Sequence, residues 1–210
     1  MKILLYLSVF LNLCLANCAD SKVDCDNGTL LFNLPLEMYG IKDTISIGDT
    51  IRIKLEIPYQ LPEQHSGAIY DFVDYDFKLI NYIERIDTNP VCLGSKEMFD
   101  WHVTRGRLKY RNNHFVVSPS FENNAYWYEA LIIPKQKGLF VFGMNSTHNR
   151  HAPLAKIQGP CTNNPLDVQV KLVNDTPANF GFLKRCPDPS YQKMDRKRFD
   201  AFGGMCFCVR

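Results

Sequence analysis

The sequence predicts a mainly β fold: an antiparallel β-sandwich of immunoglobulin-like outline, with one helix near the C-terminus and disulfides. Three observations carry this expectation. Roughly seven short stretches alternate apolar and polar residues with a period of two. Turn-forming Gly, Pro and Asn residues punctuate them. The one sustained helical period comes late, at residues 188–202. With 210 residues, 46% hydrophobic and 22% charged, the chain is long enough to bury one sizeable core.

The cleanest strand is in residues 45–58, ISIGDTIRIKLEIP. Gly48-Asp49 marks a turn, after which Ile51, Ile53, Leu55 and Ile57 alternate with Arg52, Lys54 and Glu56. One face is therefore apolar and the other charged, as in a half-buried antiparallel strand. Pro58 lacks a ladder donor and ends it. Upstream, residues 25–39 carry the turn signal Asn27-Gly28, then Leu30, Leu31, Phe32 and Leu34 before Pro35. A proline would interrupt a central ladder, so this segment predicts an edge strand.

Residues 58–67, with two prolines and Gly67, predict a surface loop. Residues 68–86 are rich in aromatic and β-branched types and fit a strand with an irregularity near Asn81, or a helix. Residues 99–110 alternate until Arg105-Gly106-Arg107 breaks them, and 114–117 make another short strand. Residues 126–133 and 139–144 flank a five-residue connection from Pro134 to Gly138, which predicts a hairpin. Residues 145–165 read as irregular. Leu166, Val168, Val170 and Leu172 then alternate with Asp167, Gln169 and Lys171, a further strand. Asp188-Pro189 is a helix cap with a tolerated first-turn proline, and Tyr191, Met194, Phe199 and Phe202 fall on one side of a helical wheel. Gly203-Gly204 stops that helix, and residues 205–210 read as a closing strand.

At the amino end, Lys2 precedes an apolar run over residues 3–15. The run is too short to span a bilayer and reads as the core of a secretory signal peptide, residues 1–19, leaving a single domain at 20–210. Leu15-Ala16-Asn17-Cys18 resembles a bacterial lipobox, which makes Cys18 a lipidation candidate. Cleavage after Ala19, giving a freely secreted protein, is the alternative. A lipid would anchor the chain to a membrane without spanning it. Losing the leader removes Lys2, so that 23 basic residues face 22 acidic ones. A balance so near neutral supplies no electrostatic argument for nucleic acid or an acidic membrane surface.

Both cleavage routes leave Cys25, Cys92, Cys161, Cys186, Cys206 and Cys208, an even set in an oxidising compartment, for which disulfides are the expectation. Cys206 and Cys208 share one strand face near the upper limit for a mutual bridge, so each is expected to pair with another of the six. The connectivity stays open.

Candidate sites are few. His148-x-x-His151 offers two imidazoles to a metal or substrate, in a loop without fixed geometry. Asp71, Asp74 and Asp76 lack the glycine and distal glutamate of an EF-hand and read as a solvated acidic loop. Tyr126-Trp127-Tyr128 offers aromatic faces for a sugar or peptide, although alternation turns Trp127 away from its neighbours. Asn27, Asn145 and Asn174 begin Asn-x-Ser/Thr triplets. No Gly-x-Ser-x-Gly, phosphate-binding loop, dinucleotide fingerprint or His-Glu-x-x-His occurs, and no cofactor is expected.

The lipobox-like leader, the segment Ser46-Ile47-Gly48-Asp49-Thr50-Ile51 and the ending Phe202-Gly203-Gly204-Met205-Cys206-Phe207 together resemble the uncharacterised signal-peptide-bearing envelope proteins, lipoproteins among them, of Bacteroidetes bacteria. That resemblance implies a cell-envelope location, no particular activity and no functional residue. The expectation is a non-enzymatic extracytoplasmic binding or structural protein. Its partner would be a protein or glycan at the cell surface, with no nucleic acid and with membrane contact only through a lipid anchor. One alternative is a carbohydrate- or peptide-binding accessory module using Tyr126, Trp127 and Tyr128. Another is a secreted hydrolase or metal enzyme using His148 and His151.

Overall fold

A computed structural model describes residues 28–88, 92–93, 96–111, 114–146, 157–174 and 178–210. The leader with Cys18, Cys25, Asn27, and the pair His148 and His151 lie outside the described residues; of Cys92 only the backbone is described. Alternation of apolar residues builds two sheets. The first runs β11 (Ser120–Glu122), β12 (Ala125–Pro134), β3 (Ile51–Pro58), β1 (Leu30–Tyr39) and β14 (Leu166–Leu172), with β8 (Phe99–Arg105) also on β12. The second runs β2 (Thr44–Ile45), β15 (Met205–Val209), β13 (Gly138–Ser146), β6 (Leu79–Arg85), β10 (His114–Ser118) and β9 (Arg107–Arg111), with β7 (Cys92–Leu93) on β6. A small ribbon joins β4 (Gln60–Pro62) to β5 (Ile69–Asp71).

The core lies between the two sheets, as in a sandwich. Phe32, Leu34, Leu36, Ile53 and Leu55 of the first sheet share one buried cluster with Leu79, Ile83, Phe140, Phe142 and Phe207 of the second. The alternation read in residues 51–57 is realised residue by residue, with Ile51, Ile53, Leu55 and Ile57 buried. Most pairings are antiparallel, but β1 pairs with β14 in parallel and β15 with β2 likewise.

Three expectations need correction. First, residues 126–144 form no hairpin: β12 pairs within the first sheet and β13 within the second, so their exposed connection passes from one sheet to the other. The reason is burial. β12 is buried on alternate residues, whereas β13 is buried without interruption from Gly138 to Met144. A strand apolar on both faces needs cover on both sides. It finds that cover between the core and a helical layer in which Leu183, Phe199 and Phe202 pack on Leu139, Val141 and Cys206. The connection bonds elsewhere: Lys135 N–H to the Met98 carbonyl at 2.9 Å, and Gly48 N–H to the Pro134 carbonyl at 3.0 Å.

Second, β1 is not an edge strand. It lies between β14 and β3, and Pro35 stands just before the first pair with β3, Leu36 opposite Leu55. The missing N–H falls where that ladder has not yet begun.

Third, the single helix of residues 188–202 is two. After a 3-10 helix at Phe180–Arg185 come α1 (Pro189–Gln192) and α2 (Arg196–Ala201). Asp188 accepts the Ser190 N–H at 2.8 Å, as expected of a cap. Asp195 does the same for Arg198 at 2.7 Å, and this second cap restarts the chain as a new helix. Tyr191, Met194, Phe199 and Phe202 still converge on the second sheet.

Three of the cysteines also depart from expectation. Cys161 is disulfide-bonded, but Cys186, Cys206 and Cys208 carry free thiols, and no two described cysteine side chains are bridged to each other. Their backbones are anchored independently. The N–H groups of Cys186, Cys206 and Cys208 donate to the carbonyls of Leu183, Ala178 and Asp43 respectively. The helix cap and the ladder set their positions, and no cross-link does.

Candidate functional site

Among the described residues, the outer face of the second sheet holds the larger of two crevices. Gly143 lies opposite Tyr82 and Val141 opposite Glu84, so Tyr82 and Glu84 project away from the core, on the face that also carries Asn145. Tyr82 fits there because Gly143 has no side chain: a Cβ at that position would come within 2.5 Å of the phenol and 2.7 Å of the Phe202 ring. Over this floor α1 brings Tyr191 and α2 brings Arg198, with Met194 between them, while β14 at the end of the first sheet contributes Asp167 and Gln169. Together they enclose a crevice of about 390 Å³.

Its electrostatics centre on Glu84. The Oε2 atom is buried and has no hydrogen-bond partner among the described residues. Burial disfavours the charged carboxylate and pushes its pKa up to about 7. Burial also raises the Tyr82 phenol; the charge of Glu84 adds to that shift and the Arg198 guanidinium opposes it. Near neutral pH the crevice thus presents the titrating carboxyl of Glu84, the carboxyl of Asp167, two phenols, two amides and a guanidinium around an apolar floor. Such a set offers a ligand hydrogen bonds and ring contact. Among the described residues no group of three His, Cys, Asp or Glu side chains is placed to hold a metal ion.

A second crevice, about 340 Å³, lies beside α2 between Lys171, Asn174, Arg196 and Asp200. Three of these four polar groups are already engaged. Arg196 pairs with Asp200 at 2.8 Å, and the Asn174 amide bonds both the N–H and the carbonyl of Met38. Asn174, one of the Asn-x-Ser/Thr positions, is therefore a structural clamp on β1.

The residues singled out from the sequence are not brought together. Tyr126 and Tyr128 are buried: the Tyr126 hydroxyl accepts the Tyr75 N–H at 2.7 Å and donates to the Phe72 carbonyl, and Tyr128 lies wholly in the core. Trp127 points to the opposite, solvent-facing side, with the Arg105 guanidinium 4.6 Å and the Lys54 ammonium 5.6 Å from its ring centre. The strand period divides the three, so they form no common aromatic platform. Asp71 accepts from the Gln60 amide at 2.9 Å and Asp76 pairs with Lys78 at 2.6 Å. The crevice residues carry no motif. Their one legible trace is Tyr82-x-Glu84, polar positions alternating with buried Leu79, Asn81 and Ile83.

No family model and no curated protein matches the chain. Among solved structures, it is similar to the second type II cohesin module of the cellulosomal adaptor scaffoldin ScaA from Acetivibrio cellulolyticus, at 9% identity over 70% of this chain and 98% of that one, with a TM-score of 0.30. The type II cohesin dyad of the same scaffoldin matches at 8% identity over 66% and 46% of the two chains, TM-score 0.28. A family 123 glycoside hydrolase from Clostridium perfringens matches at 12% identity over 69% and 23%, TM-score 0.28. Likeness at these scores carries no argument about function.

Proposed function

We propose that the protein is a non-enzymatic binding protein of the cell envelope, exported by its N-terminal leader, that takes a small polar ligand into the crevice between the second sheet and the helical layer. The observation that carries this reading is the buried Oε2 of Glu84 in the crevice wall, which has no hydrogen-bond partner among the described residues. A buried polar atom left unmet costs about 1–3 kcal/mol, and an entering hydroxyl, amide or amine removes that cost. Tyr82 and Tyr191 supply ring faces, while Asn145, Gln169 and Arg198 supply donors and acceptors. Flat apolar rings beside several hydrogen-bonding groups suit a carbohydrate or a short peptide.

The test is a glycan and peptide array probed with the mature protein and with Tyr191→Ala, Glu84→Gln and Trp127→Ala. The expected result is a ligand whose binding weakens tenfold or more in Tyr191→Ala and Glu84→Gln and is unchanged in Trp127→Ala. A ligand lost only in Trp127→Ala would move the site to the first sheet, and binding indifferent to all three would remove the crevice from consideration. Intact mass of the exported protein tests the envelope assignment, since an unprocessed chain retained in the cytosol contradicts it.

A further inference from the structure

From residue 101 to residue 121 the chain contains no Asp or Glu, yet Arg105, Arg107, Lys109 and Arg111 stand at every second position. That spacing is the period of a strand, so Arg107, Lys109 and Arg111 all project from one side of β9. All three are exposed, and β9 ends the second sheet, so the row runs along an open edge over about 13 Å. Arg105 does not join it. Gly106, at φ +76°, turns the chain from the first sheet to the second and leaves Arg105 over Trp127.

Among the described residues the row has no counter-charges. None of its three cations forms an ion pair with a described residue, whereas Arg52, Lys54, Lys78, Arg85, Lys135 and Arg196 all do. The strand beside it presents His114, Val116 and Ser118 on the same face, none of them acidic. The register Lys109–Val116–Ile80–Asn145 runs straight across four strands, so the row shares its face with the crevice, roughly 14 Å from Asn145. Cations on an edge strand also deter pairing with another chain, but that role needs no clearing of acidic residues from the surroundings.

We propose that this row is a second binding site, independent of the crevice, for a linear polysaccharide carrying sulfate or carboxylate groups. Two guanidinium forks flanking an ammonium, evenly spaced on a rigid straight strand, match a chain of repeated oxyanions, each of which an arginine can hold with two parallel hydrogen bonds. A bilayer fits the face less well: the exposed Tyr110 of β9 lies on the opposite side against Phe115, and no exposed large apolar side chain stands among the cations to enter lipid. Duplex nucleic acid would call on a broader positive field than this near-neutral chain provides.

Binding of the mature protein to immobilised heparin, as the sulfated polysaccharide, and to neutral dextran tests the assignment, with phosphatidylglycerol vesicles and duplex DNA in parallel. Binding to heparin alone is expected at about 0.15 M salt, falling steeply as salt is raised. The triple variant Arg107→Ala/Lys109→Ala/Arg111→Ala should bind at least tenfold more weakly. A control that removes equal charge elsewhere, Lys184→Ala/Lys193→Ala/Lys197→Ala, should bind as the unaltered protein does. The single variant Lys109→Gln, least able to disturb folding, should already weaken binding severalfold. Failure of the unaltered protein to bind heparin, equal loss in the control, or tighter binding to vesicles or DNA than to heparin would overturn the proposal.

Discussion

The carboxylate of Glu63 accepts the backbone N–H of Leu31 at 3.1 Å, tying the loop after β4 to the start of β1 across 32 residues. Its other oxygen takes the N–H groups of His65 and Ser66 at 2.9 and 2.6 Å and the Ser66 hydroxyl at 2.8 Å. Burial by itself would raise this carboxyl's pKa, but the four donors outweigh it and hold the group below its usual value. A depressed folded-state value means stability that is present above the ordinary carboxylate range and lost as pH falls through the folded pKa. Glu63→Gln should therefore cost about 1.5–3 kcal/mol at neutral pH. In thermal melts the gap between the two proteins should close below about pH 4. A gap that persists unchanged at low pH would show that packing, and not charge, is what the substitution removes.

Glu84 has the opposite sign. Burial lifts its carboxyl to about 7, so the folded protein holds that proton more tightly than the unfolded chain does. The resulting stability is complete below the unfolded carboxylate value and is lost as pH rises through about 7. Melting temperature should fall between about pH 5 and pH 8 in the unaltered protein and stay flatter in Glu84→Gln. Parallel curves for the two would contradict this assignment.

Gly106 makes the turn that carries the chain from β8 to β9, at φ +76°. A Cβ there would lie 2.9 Å from the Ser118 carbonyl oxygen, 3.0 Å from that of Trp127 and 3.1 Å from the Tyr128 ring. Gly106→Ala should destabilise by about 2 kcal/mol or more, read by denaturant unfolding. Gly181, where an added Cβ meets nothing within 4 Å, is the matched control and should tolerate alanine.

Among the thiols, burial pushes Cys206 up to about 12, with the nearby Cys186 adding to the shift. Cys186 is itself raised, chiefly by burial. Alkylation of the native protein near pH 8 should therefore label half-buried Cys208 first and reach Cys186 and Cys206 only after denaturation. Peptide mapping that finds any of the three already oxidised in the mature protein would contradict the free-thiol arrangement.

Strands with one dry face were legible. Residues 51–57 and 166–172 each show alternation that the sheets realise, because a period of two leaves only one way to bury the apolar set. The break at Arg105-Gly106-Arg107 was legible too, since only glycine adopts that positive φ at low cost. Partner choice was not. Residues 126–144 look like a hairpin locally, yet the two strands part into different sheets, while a turn that does close a hairpin, Asn123-Asn124 with φ of 51° and 60°, sits between β11 and β12.

What the amino-acid order settles here is local: where strands and caps begin, which face of each is apolar, and where glycine must bend the chain. Tertiary structure alone decides that β13 lies covered on both faces, that Tyr126 and Tyr128 belong to the core, and that Tyr82, Glu84 and Asn145 meet Tyr191 and Arg198 more than forty residues further along. The physical reason is that alternation specifies a face but not a neighbour. Neighbours are chosen by the burial of every face at once, and the crevice forms where β6, β13, β14 and the two helices meet to satisfy that condition.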